Sequence, residues 1–491
     1  MKFFKRTSFE PSAWASFIPV LFLIVTLVVI IIWYGADAVS SMSQMILLSA
    51  AALALIISYT FYPRRFLSIK TGLRKSASQI LPALPILLLI ATMSATWMLG
   101  GIVPSLIYYG LSFLEPGTFL MLTCSVCSII SVLTGSSWTT CATIGVAFMG
   151  IGTVMGFSPG WVAGAVISGA YFGDKVSPLS DTTVLAASTS GVKMFDHIRY
   201  LMTTTIPAMG IALIVFLAKG LLTTDIAVTQ ETELMGALSA TFNIAPWLML
   251  APVITCLLIV LRVNVLLTLG LSTILGLCGL FFTQFHIVPA ILGVTSVDTA
   301  MCVEAAIRLL CVGTSIETHN ALLNDLVATG GIEGMLGTIY LILSAMVFGG
   351  VMLGTGMLGA ITRNTLRGLR RRRSIVPATI GTGFFMNCCS GDQYLSIIVT
   401  SNLYKNLYKQ NGLPPKLLGR SLEDSISVTS VLIPWNSCGM TQSTVLGVPT
   451  LVYLPYCFFN YLCPLISLAM VLGGHRILGH RILGAIVNRT R

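Results

Sequence analysis

The sequence predicts an all-α polytopic membrane protein of about eleven to thirteen transmembrane segments, built as two inverted-topology repeats with broken helices and re-entrant hairpins. Three observations predict it. Only 9% of the 491 residues are charged and 55% are hydrophobic, against about 25% charged in soluble domains, and the mean hydropathy is +0.90. Apolar runs of about 20 residues, enough to cross the hydrocarbon core, recur along the whole chain. Two polar, proline-bearing interruptions, at 172–183 and 422–439, then fall at corresponding places in the two halves. The runs are continuous rather than alternating, which argues against a β-barrel. No polar stretch is long enough for a soluble domain, so residues 1–491 read as one transmembrane domain.

In chain order the expected spans are 13–34, 43–62, 80–99, 118–134, 140–157, 159–173, 199–217, 245–261, 265–285, 335–358, 375–400, 425–441 and 448–472. Segments 102–114 and 294–313 read either way. The first span is too long for a signal-peptide core, so it is expected to stay on the chain. The net charge of +11 raises the question of nucleic acid, but the basic residues are confined to short loops. Arg64, Arg65, Lys70, Arg74 and Lys75 form one group, Arg363, Arg367 and Arg370 to Arg373 a second, and Arg476 to Arg491 a third. That is the positive-inside pattern of a membrane protein. The expected partners are the lipid bilayer and small solutes, with no nucleic acid.

Twelve cysteines and five histidines fall in no metal-binding spacing, and the thiols read as small buried side chains. No HExxH, no Ser/His pair in the two breaks and no cofactor loop is present. An enzyme and a bound cofactor are therefore not expected. Lys2, Lys5 and Arg6 with the 64–75 loop put the N-terminus in the cytoplasm. The acidic stretch with Asp225, Glu231 and Glu233 fits the outside.

The chain is also doubled, with repeat one at about 79–220 and repeat two at about 335–472. "LTGSSWTTCATIGVAFMGIG" precedes the first polar break, and "NCCSGDQYLSIIVTSNLY" precedes the second. Ser136 and Ser390 are 254 apart, and Asp174 and Asp424 are 250 apart. Three pairs of corresponding loops swap charge. "LSFLEPG" has no basic residue where its counterpart holds the arginines of 363–373. "GFSPG" is uncharged where the second half has Lys405, Lys409, Lys416 and Arg420. Lys193, His197 and Arg199 face the uncharged "STVLGVPT". A swap of sides is the expectation for repeats related by an axis in the membrane plane.

The break "FGDKVSPLSDTT" cannot continue a helix. Pro178 removes a donor and clashes one turn back, and freed backbone at membrane depth must line a cavity or be buried in protein. Asp174 and Asp181 supply charge, and Ser177, Ser180, Thr182 and Thr183 supply neutral oxygens, all hard ligands for a cation stripped of water. A solvated loop is the plain alternative. Against it, "LEDSISVTSVLIPWNSCG" repeats the composition with Glu423, Asp424, Ser425, Ser430, Pro434 and Asn436. Paired interruptions in two halves mark a transporter site, and acids in membrane segments are usually functional. The hairpin tips at Ser136 and Ser137, and at Ser390 to Gln393 with Asp392, are weaker candidates. Glycine and serine there also serve close helix packing. Lys175 reads as an ion pair beside Asp174, a competitor for a cation or an anion contact. Glu304, Arg308, Glu317, His319, Asn320 and Asp325 read as an amphipathic loop or surface helix, with Glu317 the residue to watch.

"GSSWTTCATIGVAFMGIG", "SGAYFGDKVSPLSDTT" and "LEDSISVTSVLIPWNSCG" resemble the NhaC family of Na+/H+ antiporters, within the wider ion-transporter superfamily. The resemblance covers nearly the whole chain and extends to malate/lactate antiporters. It implies exchange of Na+ for H+ across a bacterial inner membrane. Its motif residues fall on Asp174, Ser177, Pro178, Ser180, Asp181, Thr182 and Thr183, and on Glu423, Asp424, Ser425, Ser430, Pro434, Trp435 and Asn436. The chain departs from the pattern at Thr139 to Ala142, where Gly-Thr-Ala-Gly is expected. It departs again at Ile426 and Ser427, where Gly-Thr is expected, and at Val431, where proline is usual.

The leading expectation is alternating access with Na+ and H+ competing for one carboxylate-lined site. Na+ would sit at Asp174, Asp181 and Asp424, because burial favours the protonated form of an acid and brings its proton into exchange. The alternative is coupled transport of an organic acid of the malate/lactate type or an amino acid, held by hydroxyls, Asn436 and helix N-termini. Carriers of this kind often dimerise, so a homodimer is the assembly to test.

Overall fold

The computed structural model describes residues 11–472 apart from 35–37, 62–67, 224–227, 262, 295–297, 319–322, 325–326 and 362–371, together with 476–477 and 480–481. The basic residues Arg64, Arg65, Arg363, Arg367, Arg370 and Arg371, the acid Asp225, and His319, Asn320 and Asp325 lie outside the described residues. The N-terminal part contains α1 (Ala13–Tyr34), α2 (Ala38–Phe61), α3 (Ile69–Ile80), α4 (Leu84–Leu99) and α5 (Ile102–Phe113). The first polar half follows as α6 (Pro116–Thr134), α7 (Ser137–Val154), α8 (Pro159–Val176), α9 (Asp181–Ser190) and α10 (Met194–Leu221). A connecting group has α11 (Val228–Thr241), α12 (Leu250–Val260), α13 (Val265–Phe282), α14 (Val288–Leu292) and α15 (Thr299–Cys311). The second half is α16 (Gly331–Gly354), α17 (Arg372–Ser390), α18 (Gln393–Gln410), α19 (Pro415–Leu422), α20 (Ser437–Leu446), α21 (Thr450–Tyr453) and α22 (Phe458–Leu472). A two-residue antiparallel pair, Arg476–Ile477 with His480–Arg481, follows it.

The all-helical polytopic expectation holds. Among the described residues, seven helices are long and apolar enough to cross a membrane, and three bent pairs raise the number to ten by length and composition. The expectation of eleven to thirteen also counted polar segments. Among these, α8 is glycine-rich and ends in Asp174 and Lys175, and the expected span 375–400 is two helices broken at Gly391. The expected span 425–441 is likewise irregular until α20 begins at Ser437. The shortfall therefore lies where the chain is polar and broken. Glu317 is exposed and outside any helix.

Local sequence explains the breaks. At Gly135 the backbone turns left-handed, φ 68°, and at Gly391 it does the same, φ 65°, a conformation that suits glycine because it has no Cβ. The next residue in each case caps a new helix. The Ser136 hydroxyl accepts from the Thr139 amide at 3.2 Å, and an Asp392 carboxylate oxygen accepts from the Leu395 amide at 2.8 Å, as N-caps do. Gly135→Ala and Gly391→Ala are each expected to lower stability by about 1–2 kcal/mol from the left-handed backbone alone. An added Cβ would also overlap Leu179 at Gly135 and Ala345 at Gly391. Thermal unfolding of the purified variants checks this, and unchanged melting of both would refute the account of the tips.

The two halves match more closely than the acids suggest. Gly135 and Gly391 are 256 residues apart (391 minus 135), and the same separation relates the caps Ser136 and Asp392, the first-turn prolines Pro159 and Pro415, the caps Ser180 and Asn436, and the left-handed Gly191 and Gly447. Hydrogen bonds repeat too. The Ser136 amide donates to the Thr134 hydroxyl at 3.2 Å, and the Asp392 amide donates to the Ser390 hydroxyl at 3.2 Å. Thr140 bonds the Ser136 carbonyl at 2.9 Å, and Ser396 bonds the Asp392 carbonyl at 2.8 Å. At this separation Asp174 falls opposite Ser430, and the offsets of 254 and 250 drawn from the sequence differ from the 256 that relates these glycines, caps and prolines.

Candidate functional site

Asp174 lies in the last turn of α8, half-buried, and its carboxylate accepts from the hydroxyl of Ser137, the first residue of α7, at 2.7 Å. Tip and break of the first half therefore meet. Their counterparts also meet, with Ser430 donating to Gln393 at 3.3 Å. Helix α8 stops at Val176 because Ser177 precedes Pro178 and takes an extended backbone, φ −76°, ψ 132°, as the proline ring requires.

Most of the hydroxyls expected as ligands close this break. Ser177 donates to the Val132 carbonyl at 2.8 Å and accepts from the Leu179 amide at 3.2 Å. Ser180 caps α9 through the Thr183 amide at 3.4 Å and pairs with the Thr182 hydroxyl at 3.0 Å. Thr183 donates back to the carbonyls of Asp174 at 3.3 Å and Lys175 at 3.1 Å. Asp181 and Pro178 are exposed, so the structure does not bring Asp181 into the buried cluster.

In the second half, α19 widens into a π-type turn over Glu423–Ser427, a geometry frequent at functional sites. The Ser425 hydroxyl donates to the Ser421 carbonyl at 2.6 Å and the Ser430 hydroxyl to the Ser427 carbonyl at 2.8 Å. Asn436 caps α20, accepting from the Cys438 amide at 3.1 Å. Pro434 lines a cavity of about 600 Å³ together with Met440, Gln44 and Tyr340.

A buried ion-pair network joins the halves. The Lys175 ammonium donates to Asp424 at 2.5 Å, and Arg420 faces the other oxygen of Asp424 at 3.7 Å. The Thr204 hydroxyl donates to Asp424 at 3.0 Å. Lys175, Asp424 and Arg420 are all within 1% of full burial. The sequence sets Lys175 beside Asp174, but neighbours on a helix point about 100° apart, and the partner is Asp424 of the other half. Arg420 also donates to Thr203 at 3.1 Å and lies 4.9 Å over the Tyr200 ring. Glu423 is completely buried, and neither carboxylate oxygen has a hydrogen-bond partner among the described residues.

Several site residues carry no motif. Arg420 and His197 read from the sequence as loop charges, yet both are completely buried, and neither ring nitrogen of His197 has a partner among the described residues. The orientation argument loses both. Arg420 had a signal, its i, i+4 spacing to Asp424. Asn387 and Asn460 are completely buried against the broken segment, donating to the carbonyls of Ile426 at 2.8 Å and Val428 at 2.7 Å. A polar residue in an apolar run was their only signal.

Residues 169–475, well over half of the chain, match the model of the Na+/H+ antiporter family. Over 429 residues, 87% of this chain and 90% of the relative, the protein is 35% identical to the Na+/H+ antiporter NhaC of Bacillus subtilis. It is 34% identical to the malate-2H+/Na+-lactate antiporter of the same organism over 80% of this chain and 81% of that one. It is 32% identical to the arginine/ornithine antiporter ArcD of Halobacterium salinarum over 95% of this chain and 93% of that one. The matched region holds both broken segments and the ion pairs that join them, and with identity of this extent the chain belongs to the Na+/H+ antiporter family.

Proposed function

We propose that this protein is a secondary transporter exchanging Na+ for H+ by alternating access across a bacterial inner membrane, with its N-terminus cytoplasmic. One observation carries the reading. Two interrupted helices, one from each half, bring Asp174, Glu423 and Asp424 together at the junction of the halves, with Asp174 held by Ser137 and Asp424 by Lys175. Burial favours the protonated form of a carboxylic acid, and a dehydrated Na+ restores the charged form by supplying the missing counter-charge. One site then takes either ion. Exchange follows when the two facing states bind them with different affinity. The relatives' names support this choice of ions.

We further read the two halves as inverted repeats. Their elements recur at one separation, and Lys193 and Arg199 in one half against Lys405, Lys409 and Lys416 in the other keep the charge asymmetry that inversion requires. A second reading is transport of an organic acid or amino acid. It is favoured by the 600 Å³ cavity at Pro434 and Met440, larger than a bare ion needs, and by relatives named for malate, lactate, arginine and ornithine.

The test is a sodium pulse to sealed vesicles holding the purified protein and an internal pH dye under an imposed pH gradient. Sodium is expected to drive internal pH change beyond that of protein-free vesicles. No response across a wide pH range contradicts the proposal.

A further inference from the structure

Asp424 and Glu423 are adjacent, completely buried acids with opposite surroundings. Asp424 is paired with two cations, although its Oδ2 has no hydrogen bond among the described residues. Lys175 and Thr204 reach one oxygen, and Arg420 faces the other. Neither Glu423 oxygen has a hydrogen bond of ordinary geometry or a salt bridge among the described residues, and the Ser427 hydroxyl and the Lys175 ammonium act on it from farther off. An ionised carboxylate left so is unfavourable by many kcal/mol. The surroundings of Glu423 carry unused oxygens as well. Asn387 gives its amide hydrogens to the Ile426 carbonyl at 2.8 Å and to Thr429 at 3.4 Å, and Asn460 gives its amide to the Val428 carbonyl at 2.7 Å. In both, the side-chain carbonyl oxygen has no partner among the described residues, and neither has the Ser427 hydroxyl one turn from Glu423. A buried carboxylate with neutral oxygens packed against the same irregular turn from α17 and α22 offers the donor types of a hard, dehydrated cation. One negative charge matched by one positive charge limits it to a monovalent ion.

We propose that Glu423, with the side-chain carbonyls of Asn387 and Asn460 and the hydroxyl of Ser427, forms a binding site for a dehydrated monovalent cation, and that Asp424 is the fixed counter-ion of Lys175 and Arg420. This rests on the exchange reading and adds Glu423 to Asp174 as an acid that serves it. The charged groups around Glu423 are Lys175 and Asp174 from α8, with Asp424 and Arg420 from its own stretch, and Cys463 lies on α22. Lys175 and Arg420 balance Asp424 and Asp174, so an ionised Glu423 leaves one negative charge for one monovalent cation.

The test is cation-induced thermal stabilisation of the purified full-length protein in detergent, titrated with sodium, lithium and potassium chloride against choline chloride. The wild type is expected to gain melting temperature with at least one of the metal ions. Glu423→Gln, close in shape, should raise the concentration of half-effect at least about tenfold, about 1.4 kcal/mol at 25 °C. Ser427→Ala should raise it by less, and Asp181→Asn, exposed and outside the buried cluster, should keep the wild-type midpoint. No stabilisation of the wild type by any of the three ions, or an unchanged midpoint in Glu423→Gln, overturns the proposal. Wild-type vesicles run in parallel separate the two readings. Sodium binding at Glu423 without proton-coupled sodium movement defeats the exchange reading alone. Normal exchange with cation binding indifferent to Glu423 defeats this one alone.

Discussion

Asp424→Asn is expected to destabilise the protein more than Lys175→Met, with each costing about 3–5 kcal/mol if its partner is left buried and unpaired. The order follows from the surroundings. Without Lys175, the Asp424 carboxylate keeps the Thr204 hydroxyl at 3.0 Å and Arg420 at 3.7 Å. Without the charge of Asp424, two completely buried cations lose their anion at once. Among the described residues Arg420 retains only the Thr203 hydroxyl, the Tyr200 ring and a sulfur contact to Met470. The double variant should recover part of the loss and stay below wild type, because Arg420 remains without its anion. Non-additivity is the signature of a shared network. Thermal melting of the four proteins under one detergent condition measures it. Independent, additive effects would show that Lys175 and Asp424 do not act as a pair.

Asp174→Asn is expected to reduce sodium-dependent proton movement in vesicles to the level of protein-free controls while leaving the fold intact. Asp174 is half-buried and accepts a hydrogen bond from the Ser137 hydroxyl, and its amide replacement has the same shape without the exchangeable charge. Ser137→Ala removes a bond to a charged group, worth about 1.5–3 kcal/mol, and should weaken the apparent sodium affinity about tenfold or more. Asp181→Asn should retain most of the activity. Both aspartates belong to the same motif, but Asp181 is exposed at the start of α9. The contrast between them is the discriminating result. Equal loss in both, or full activity in Asp174→Asn, would remove Asp174 from the exchange site.

The helices and their breaks were legible because local chemistry sets them. Helix α1 was expected at the residues it occupies, 13–34, from apolar length alone. Pro178 fixed the end of α8, and Gly135 with Ser136 and Gly391 with Asp392 fixed the hairpin tips. The two matching breaks were legible too, but the acids do not share the separation of 256 residues that relates their glycines and caps. Glycines and caps keep their places because the backbone needs them there, whereas a carboxylate moves along the chain when its function does.

The partners were not legible. Lys175 and Asp424 are 249 residues apart in sequence, and no local pattern says that they touch. Arg420 and His197 were read as loop charges because a basic residue near a helix end looks the same in sequence whether it meets water or is completely buried. Asn387 and Asn460 sit singly in apolar runs, and their role emerges only when the chain folds them onto the carbonyls of Ile426 and Val428. Glu423 and Asp424 look equivalent as letters. Only their surroundings separate a paired acid from a free one.

The most direct measurement is proton-gradient-driven uptake of labelled sodium into vesicles containing the purified protein. Uptake would be challenged in turn with unlabelled lithium, potassium, malate, lactate and arginine. Labelled malate, lactate and arginine would be followed in parallel. The account predicts that sodium accumulates without any organic solute, that the accumulation collapses with the proton gradient, and that Asp174→Asn abolishes it. Sodium that fails to accumulate while an organic acid or amino acid does would contradict it.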